Sequence, residues 1–200
     1  MFPSRHGEDP PCAKCVKSPP PFGKARAYGL YDRSLRQVIH LLKYRRKTYL
    51  AKPLGRLLFS VFTENWNPDQ IDIVIPVPLH GGRLRKRGFN QTYQLVRKWS
   101  GSLCLPEPPK KFPPIINNEV LFRKRRTKAQ VGMTRGERMK NIKGVFGVRD
   151  SLLIKEKNVL IVDDVFTTGA TAGECAKTLL KHGAAKVDIL TLAQTNQYLK

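Results

Sequence analysis

Residues 158–193 read as strand, helix, strand, and this stretch limits the fold more than any other. Asn158–Val162 shows no polar alternation, as expected of a strand covered on both sheet faces. Ala172, Cys175, Ala176, Leu179 and Leu180 recur at helical spacing, and His182-Gly183 ends that helix. Lys186–Ala193 is a second apolar strand. Two such strands joined by one helix form a βαβ unit, with parallel strands and a right-handed crossover. The fold class is therefore α/β, a parallel sheet flanked by helices. Ligands of such sheets bind beyond the carboxyl ends of the strands, so chemistry is expected just after Val162.

The period alternates upstream as well. Ala25–Tyr31 reads as a short strand. Leu35, Val38, Ile39 and Leu42 mark one helix face, and Leu50, Leu54, Leu57, Leu58 and Val61 a second. Ile71–Val77 is an apolar strand ending in Pro76 and Pro78, and Gln91–Trp99 is helical. Glu119–Phe122 and Gly144–Val148 read as further strands. Eleven of the fifteen prolines fall in the N-terminal tail and in residues 106–114, so both segments read as loop. The chain divides into a proline-rich tail over residues 1–25 and one domain over residues 26–200.

Hydrophobic residues make up 40% of the 200, enough for a core and too many for a disordered chain. No run approaches the ~20 apolar residues of a membrane span. Residues 1–21 contain no apolar signal region, and four cysteines do not make a disulfide scaffold, so a cytoplasmic location is expected. The formal net charge is +22, and it is uneven. Residues 151–200 hold six Lys and five acids, whereas residues 1–150 hold 31 Lys+Arg and ten acids. A basic part joined to a neutral one points to a face that meets phosphate. Its densest clusters are Arg83, Arg85, Lys86 and Arg87, then Arg123, Lys124, Arg125, Arg126 and Lys128.

The sharpest motif follows Val162. Asp163 and Asp164 stand at a strand's carboxyl end, and Thr167, Thr168, Gly169, Ala170 and Thr171 form a turn that opens a helix. Such a turn offers backbone N–H groups, hydroxyls and a helix N-terminus to a phosphomonoester. The acids are placed to accept hydrogen bonds from sugar hydroxyls beside that phosphate, or to hold Mg²⁺ through water.

The run Val159–Thr171 resembles the phosphoribosyl-pyrophosphate (PRPP) signature of type I phosphoribosyltransferases. More closely, the chain resembles the ComF family of competence-associated, phosphoribosyltransferase-like proteins. Supporting segments are Cys12-Ala-Lys-Cys15, Leu35–His40 with Lys43-Tyr44-Arg45, Ile75–His80 with Arg83–Gln91, and Arg126-Thr127, Gln130, Arg138, Asn141 and Gly144–Phe146. The resemblance implies a Rossmann-like sheet in the type I phosphoribosyltransferase fold, with a small N-terminal hood or partial zinc-ribbon segment. It assigns Thr167–Thr171 to the 5-phosphate, and Asp163 and Asp164 to the ribose hydroxyls and Mg²⁺. Val77, Pro78, Leu79, His80 and Arg83 fall in the turn that takes pyrophosphate in relatives, and Arg123–Met133 in the mobile loop that closes over PRPP. Purine-salvage relatives carry an acid where this chain has Thr167, which argues against a hypoxanthine–guanine activity. His80 is then the best-placed general base, or else a histidine that meets phosphate or solvent.

Cys12 and Cys15 have zinc-knuckle spacing but form half of a tetrahedral site; relatives commonly carry two such pairs. Cys175 reads as a core residue, and His40 as structural. Two functions fit. One is Mg²⁺-dependent transfer of ribose 5-phosphate from PRPP to an unidentified acceptor. The other is a non-catalytic PRPP-sensing module that handles single-stranded DNA beside competence and DNA-uptake proteins. In the second, Arg85, Lys86, Arg87 and Arg123–Lys128 track the backbone, and Tyr44, Phe89, Tyr93 or Trp99 stack on bases.

Overall fold

A computed structural model describes residues 19–99, 114–128 and 132–195. The chain runs β1 (Ala25–Leu30), α1 (Arg33–Tyr44), α2 (Ala51–Asn65), β2 (Ile73–Pro76), α3 (Gly81–Arg87), α4 (Gln91–Val96), β3 (Ile115–Ile116), β4 (Leu121–Arg123), α5 (Arg135–Ile142), β5 (Phe146–Val148), β6 (Asn158–Phe166), α6 (Ala170–Lys181) and β7 (Lys186–Gln194). Five strands form one sheet in the order β1-β7-β6-β2-β3, and every pair is parallel. The expected βαβ unit is β6-α6-β7, registered from Asn158↔Lys186 to Phe166↔Gln194. β4 and β5 form a separate antiparallel pair.

Successive side chains of a strand point to opposite faces, and here that alternation sorts the core into two layers. Leu160 and Val162 of β6 pack with Leu190 and Leu192 of β7 against α1, α2 and α4. Val159 and Ile161 pack with Val187 and Ile189 against α6, Ile142 of α5, and the β4–β5 pair. Ala172, Cys175, Ala176 and Leu179 are buried on α6 as the spacing required, while Leu180 is 37% exposed.

Sequence reading misses several elements. α3 opens on two glycines with no apolar stripe, and α5 is short and polar. α5 nevertheless carries a capping box, in which Thr134 accepts from the Glu137 N–H and Glu137 accepts from the Thr134 N–H. β3 is two residues long.

The layer of α2 and α4 meets at an aromatic cluster. Trp99 stacks on Phe62 with ring centroids 5.5 Å apart, meets Phe59 edge-on at 5.3 Å, and donates its indole N–H to the Gly55 carbonyl at 3.1 Å. Gly55 is needed because an added Cβ would collide with the backbone carbonyl of Leu95 in α4. Gly55→Ala is expected to cost about 3 kcal/mol through overpacking. Denaturant unfolding should show a lowered midpoint at an unchanged slope.

Candidate functional site

β6 does not stop at Val162. Its pairing with β7 continues to Phe166, so Asp163 and Asp164 lie within the strand rather than in a loop after it. Alternation then aims the two acids apart. Asp164, in register with Leu160 and Val162, turns toward α1 and α4. Lys43 Nζ meets its Oδ1 at 2.7 Å, and Gln91 Nε2 donates to its Oδ2 at 2.8 Å. Gln91 in turn accepts from the Arg87 guanidinium. Burial alone would lower the pKa of Lys43, but the adjacent Asp164 outweighs it and holds the ammonium above its ordinary value.

Asp163 turns the other way, toward α6 and β4, and accepts the Asp164 N–H at 2.8 Å. Burial, then the charge of Asp164, push its pKa up to about 7 against the opposing pull of Lys43 and Arg123. One acid is thus held in an ion pair, while the other is poised between its protonation states near neutral pH. Sequence alone does not single out Lys43 and Gln91 as site residues. They lie 121 and 73 residues from Asp164, and no local pattern joins them.

The threonine loop sits where the sequence predicts it. Thr167, Thr168, Gly169, Ala170 and Thr171 are half-buried at the start of α6. Gly169 has φ of 76° and caps the helix, a left-handed geometry that a side chain resists. A Cβ there would also press on the Phe166 ring at 3.0 Å. The Ala170 N–H reaches Thr168 Oγ1 at 3.4 Å. The helix N-terminus adds partial positive charge at the same place.

At the end of β2 the turn is shorter than expected. Val77 and Pro78 are buried, Leu79 and His80 half-buried, and α3 starts at Gly81, so Arg83 is helical. His80 is the helix cap: its Nδ1 accepts the Gly82 N–H at 3.1 Å, which leaves only Nε2 for any other role. The Val77 carbonyl accepts from Thr92 Oγ1 at 2.8 Å and Asn90 Nδ2 at 3.2 Å, which fixes the turn on α4.

The two basic clusters, forty residues apart in sequence, meet at buried Thr127. Arg83 donates to its carbonyl at 3.0 Å and Arg123 to its hydroxyl at 3.2 Å. Arg123 also lies over Phe146 at 5.1 Å, and burial draws its pKa down. Its Nε is buried and has no hydrogen-bond partner among the described residues. A buried guanidinium N–H without an acceptor fits a site built for an anion.

The remaining cations divide. Arg87 is half-buried on Gln91 and lies over the Tyr44 ring at 5.4 Å, while Arg125 donates to the Lys143 carbonyl at 3.0 Å. Arg85, Lys86, Lys124, Arg126 and Lys128 are exposed. Trp99 is 1% exposed, so it offers no stacking surface; Phe89 and Tyr93 pack on the core, and Tyr44 remains exposed. His40 is exposed beside Tyr44 at the end of α1. Cys12 and Cys15 lie outside the described residues. Cys175 is buried, which raises its thiol pKa well above the ordinary value. No cluster of three or more His, Cys, Asp or Glu side chains occurs among the described residues. No described helix is long and apolar enough to cross a membrane.

The family model for the phosphoribosyl transferase domain matches residues 118–200. The DNA utilization protein YhgH of Shigella flexneri is 33% identical over 188 residues, covering 92% of this chain and 78% of that protein. Competence protein F of Haemophilus influenzae is 30% identical over 187 residues, with the same two coverages. Competence protein ComFC of Bacillus subtilis is 27% identical, over 85% of this chain and 64% of that one. A solved hypoxanthine phosphoribosyltransferase from Staphylococcus aureus aligns at a TM-score of 0.39 and 16% identity, over 74% of this chain and 62% of that one.

Proposed function

Because this chain belongs to the ComF family of phosphoribosyltransferase-fold proteins, we propose that it binds PRPP with Mg²⁺ at the end of β6 and transfers the ribose 5-phosphate to an acceptor in a process tied to DNA uptake. One observation carries this reading. The acid pair on β6, the Thr167–Gly169 loop on α6, and the arginines joined at Thr127 all lie at the carboxyl end of the parallel sheet, where such folds bind ligands.

The residues suit PRPP. The loop and the α6 N-terminus take the 5-phosphate. Arg83 and Arg123 bring positive charge to the pyrophosphate, and the Arg123 Nε–H still lacks an acceptor among the described residues. Pyrophosphate leaves C1 of the ribose as the acceptor bonds there. Arginines neutralise the charge growing on that leaving group and need no reorganisation to do so. Asp164 is committed to Lys43 and Gln91, so Asp163 presents the oxygen for a ribose hydroxyl or for the metal. The residues also suit Mg²⁺, which typically uses one or two carboxylates and takes its other ligands from water and substrate phosphates. When bound, the ion would screen the pyrophosphate charge.

Thermal melting tests this reading. PRPP with Mg²⁺ at about a hundred times Kd should stabilise the fold by about 2.7 kcal/mol, or roughly 5–10 °C for a chain of this size. No shift with PRPP and Mg²⁺ together would overturn it. Pyrophosphate release on adding an acceptor would separate a transferase from a sensor of PRPP.

A second reading, single-stranded DNA handling, is favoured by the cations that PRPP does not need. Arg85, Lys86, Lys124, Arg126 and Lys128 are exposed around the site, and the DNA utilization and competence relatives point the same way.

A further inference from the structure

The sheet divides charge as well as core. Residues 33–63 and 73–99, which span α1, all but the last turn of α2, α3 and α4, hold eight and six Lys+Arg respectively and no Asp or Glu; Glu64 follows in the last turn of α2. The opposite layer carries Glu137 on α5 and Glu174 on α6. Within this basic layer, α2 and α4 border a cavity of about 570 Å³. Lys52, Arg56, Arg97 and Lys98 line it, Leu95 and Trp99 contribute apolar wall, and no acid among the described residues lines it. All four cations are exposed, and Tyr49 at the same cavity is 68% exposed.

The segment that precedes α2 is tied to α3, the helix next to the β6 site. Arg46 donates to the Lys86 carbonyl at 3.3 Å, and Arg87 lies over Tyr44, so the α1–α2 connection is stitched to α3. Arg87 holds Gln91, which holds Asp164.

We infer that the α2–α4 cavity is a binding groove for single-stranded nucleic acid, with backbone phosphates on Lys52, Arg56, Arg97 and Lys98 and a base on Tyr49. The inference rests on the DNA-handling reading above and assigns it to residues outside the two basic clusters. Four cations, with no acid among the described lining residues, exceed the need of one small phosphate ligand and suit a repeating charge. An aromatic beside a concave basic groove suits a strand whose bases can turn inward to stack. A duplex keeps its bases stacked away and presents a convex surface.

Fluorescence anisotropy with a labelled oligo-dT, measured across a salt series, tests the groove. The parent should bind with an affinity that falls steeply with salt. Replacing Lys52, Arg56, Arg97 and Lys98 together by alanine should flatten the logarithmic slope by about 3, at ~0.7 per lost phosphate contact. Tyr49→Ala should weaken binding about fivefold, the low end of a lost base stack. All five side chains are exposed, and melting curves check that the variants stay folded. Salt-insensitive or absent binding by the parent would overturn both the groove and the DNA-handling reading. Parent binding with an unchanged slope in the fourfold variant would overturn the groove alone. Equal binding of a blunt duplex, lost in the same variant, would overturn the single-strand assignment. A PRPP melting shift that survives in the fourfold variant is expected, since none of these residues touches the β6 site.

Discussion

Lys43→Met is expected to lower stability by about 3 kcal/mol, because it strips one partner from a largely buried ion pair. For a chain of 200 residues, that is a fall of roughly 6–12 °C in melting temperature. The side chains of Lys43 and Asp164 are 19% and 8% exposed, so water replaces little of the lost contact. Among the described residues, Asp164 would keep the neutral Gln91 side-chain amide as its donor. The pair also links the end of α1 to β6 across 121 residues of sequence, so its loss should loosen α1 against the sheet. Lys43→Met combined with Asp164→Leu removes both charges and should recover much of the fall, since a well-packed apolar pair often matches a buried ion pair. A single variant as stable as the parent would show that the pair is solvated in solution and that Asp164 is available to ligands.

The same pair shows where sequence reading reaches its limit. The β6-α6-β7 unit is legible because its apolar spacing is local: Val159–Val162 and the Ala172–Leu179 stripe declare two covered sheet faces within forty residues. The end of β6 is not legible, because Asp163 and Asp164 look like loop residues, and only the pairing of Phe166 with Gln194 extends the strand through them. α3 is hidden by Gly81 and Gly82, poor helix formers that the His80 cap offsets. The α5 signal, Thr134 followed by Glu137, is present in the sequence but short and without an apolar run behind it. The loop Thr167–Thr171 is legible as chemistry because a turn must be encoded locally. Lys43, Gln91 and the meeting of Arg83 with Arg123 at Thr127 depend on the folded sheet, and one sequence without its contacts does not join them. The basic clusters show both sides of this. Composition locates them, but only the fold divides inward-turned Arg83, Arg87 and Arg123 from exposed Arg85, Lys86 and Arg126.

Asp163→Asn separates stability from the proposed chemistry, in opposite directions. The folded-state pKa of Asp163 is raised to about 7 from an ordinary 3.8, by burial and then by the charge of Asp164. Between those values the folded protein binds a proton that the unfolded chain releases. The stabilisation is therefore complete below the unfolded pKa and is lost as pH rises through 7. The asparagine side chain would keep an oxygen for the Asp164 N–H and carry no charge at any pH. The variant should match the parent near pH 4 and exceed it at pH 8 by a few kcal/mol, since each pH unit separating the folded and unfolded pKa values is worth about 1.36 kcal/mol. Coupling to Asp164 trims that gain. In the same samples, the melting shift induced by PRPP with Mg²⁺ should shrink or vanish, because a neutral amide serves a divalent cation far less well than a carboxylate. For the parent, that shift should grow from pH 6 to pH 8 as Asp163 loses its proton. Melting curves at pH 4, 6 and 8, with and without ligand, give every comparison. Parallel curves for parent and variant across that range would remove the raised pKa. A full ligand shift in the variant would remove Asp163 from the binding site. A residue that costs stability when charged and is needed charged for binding is what a functional acid in a buried strand should look like.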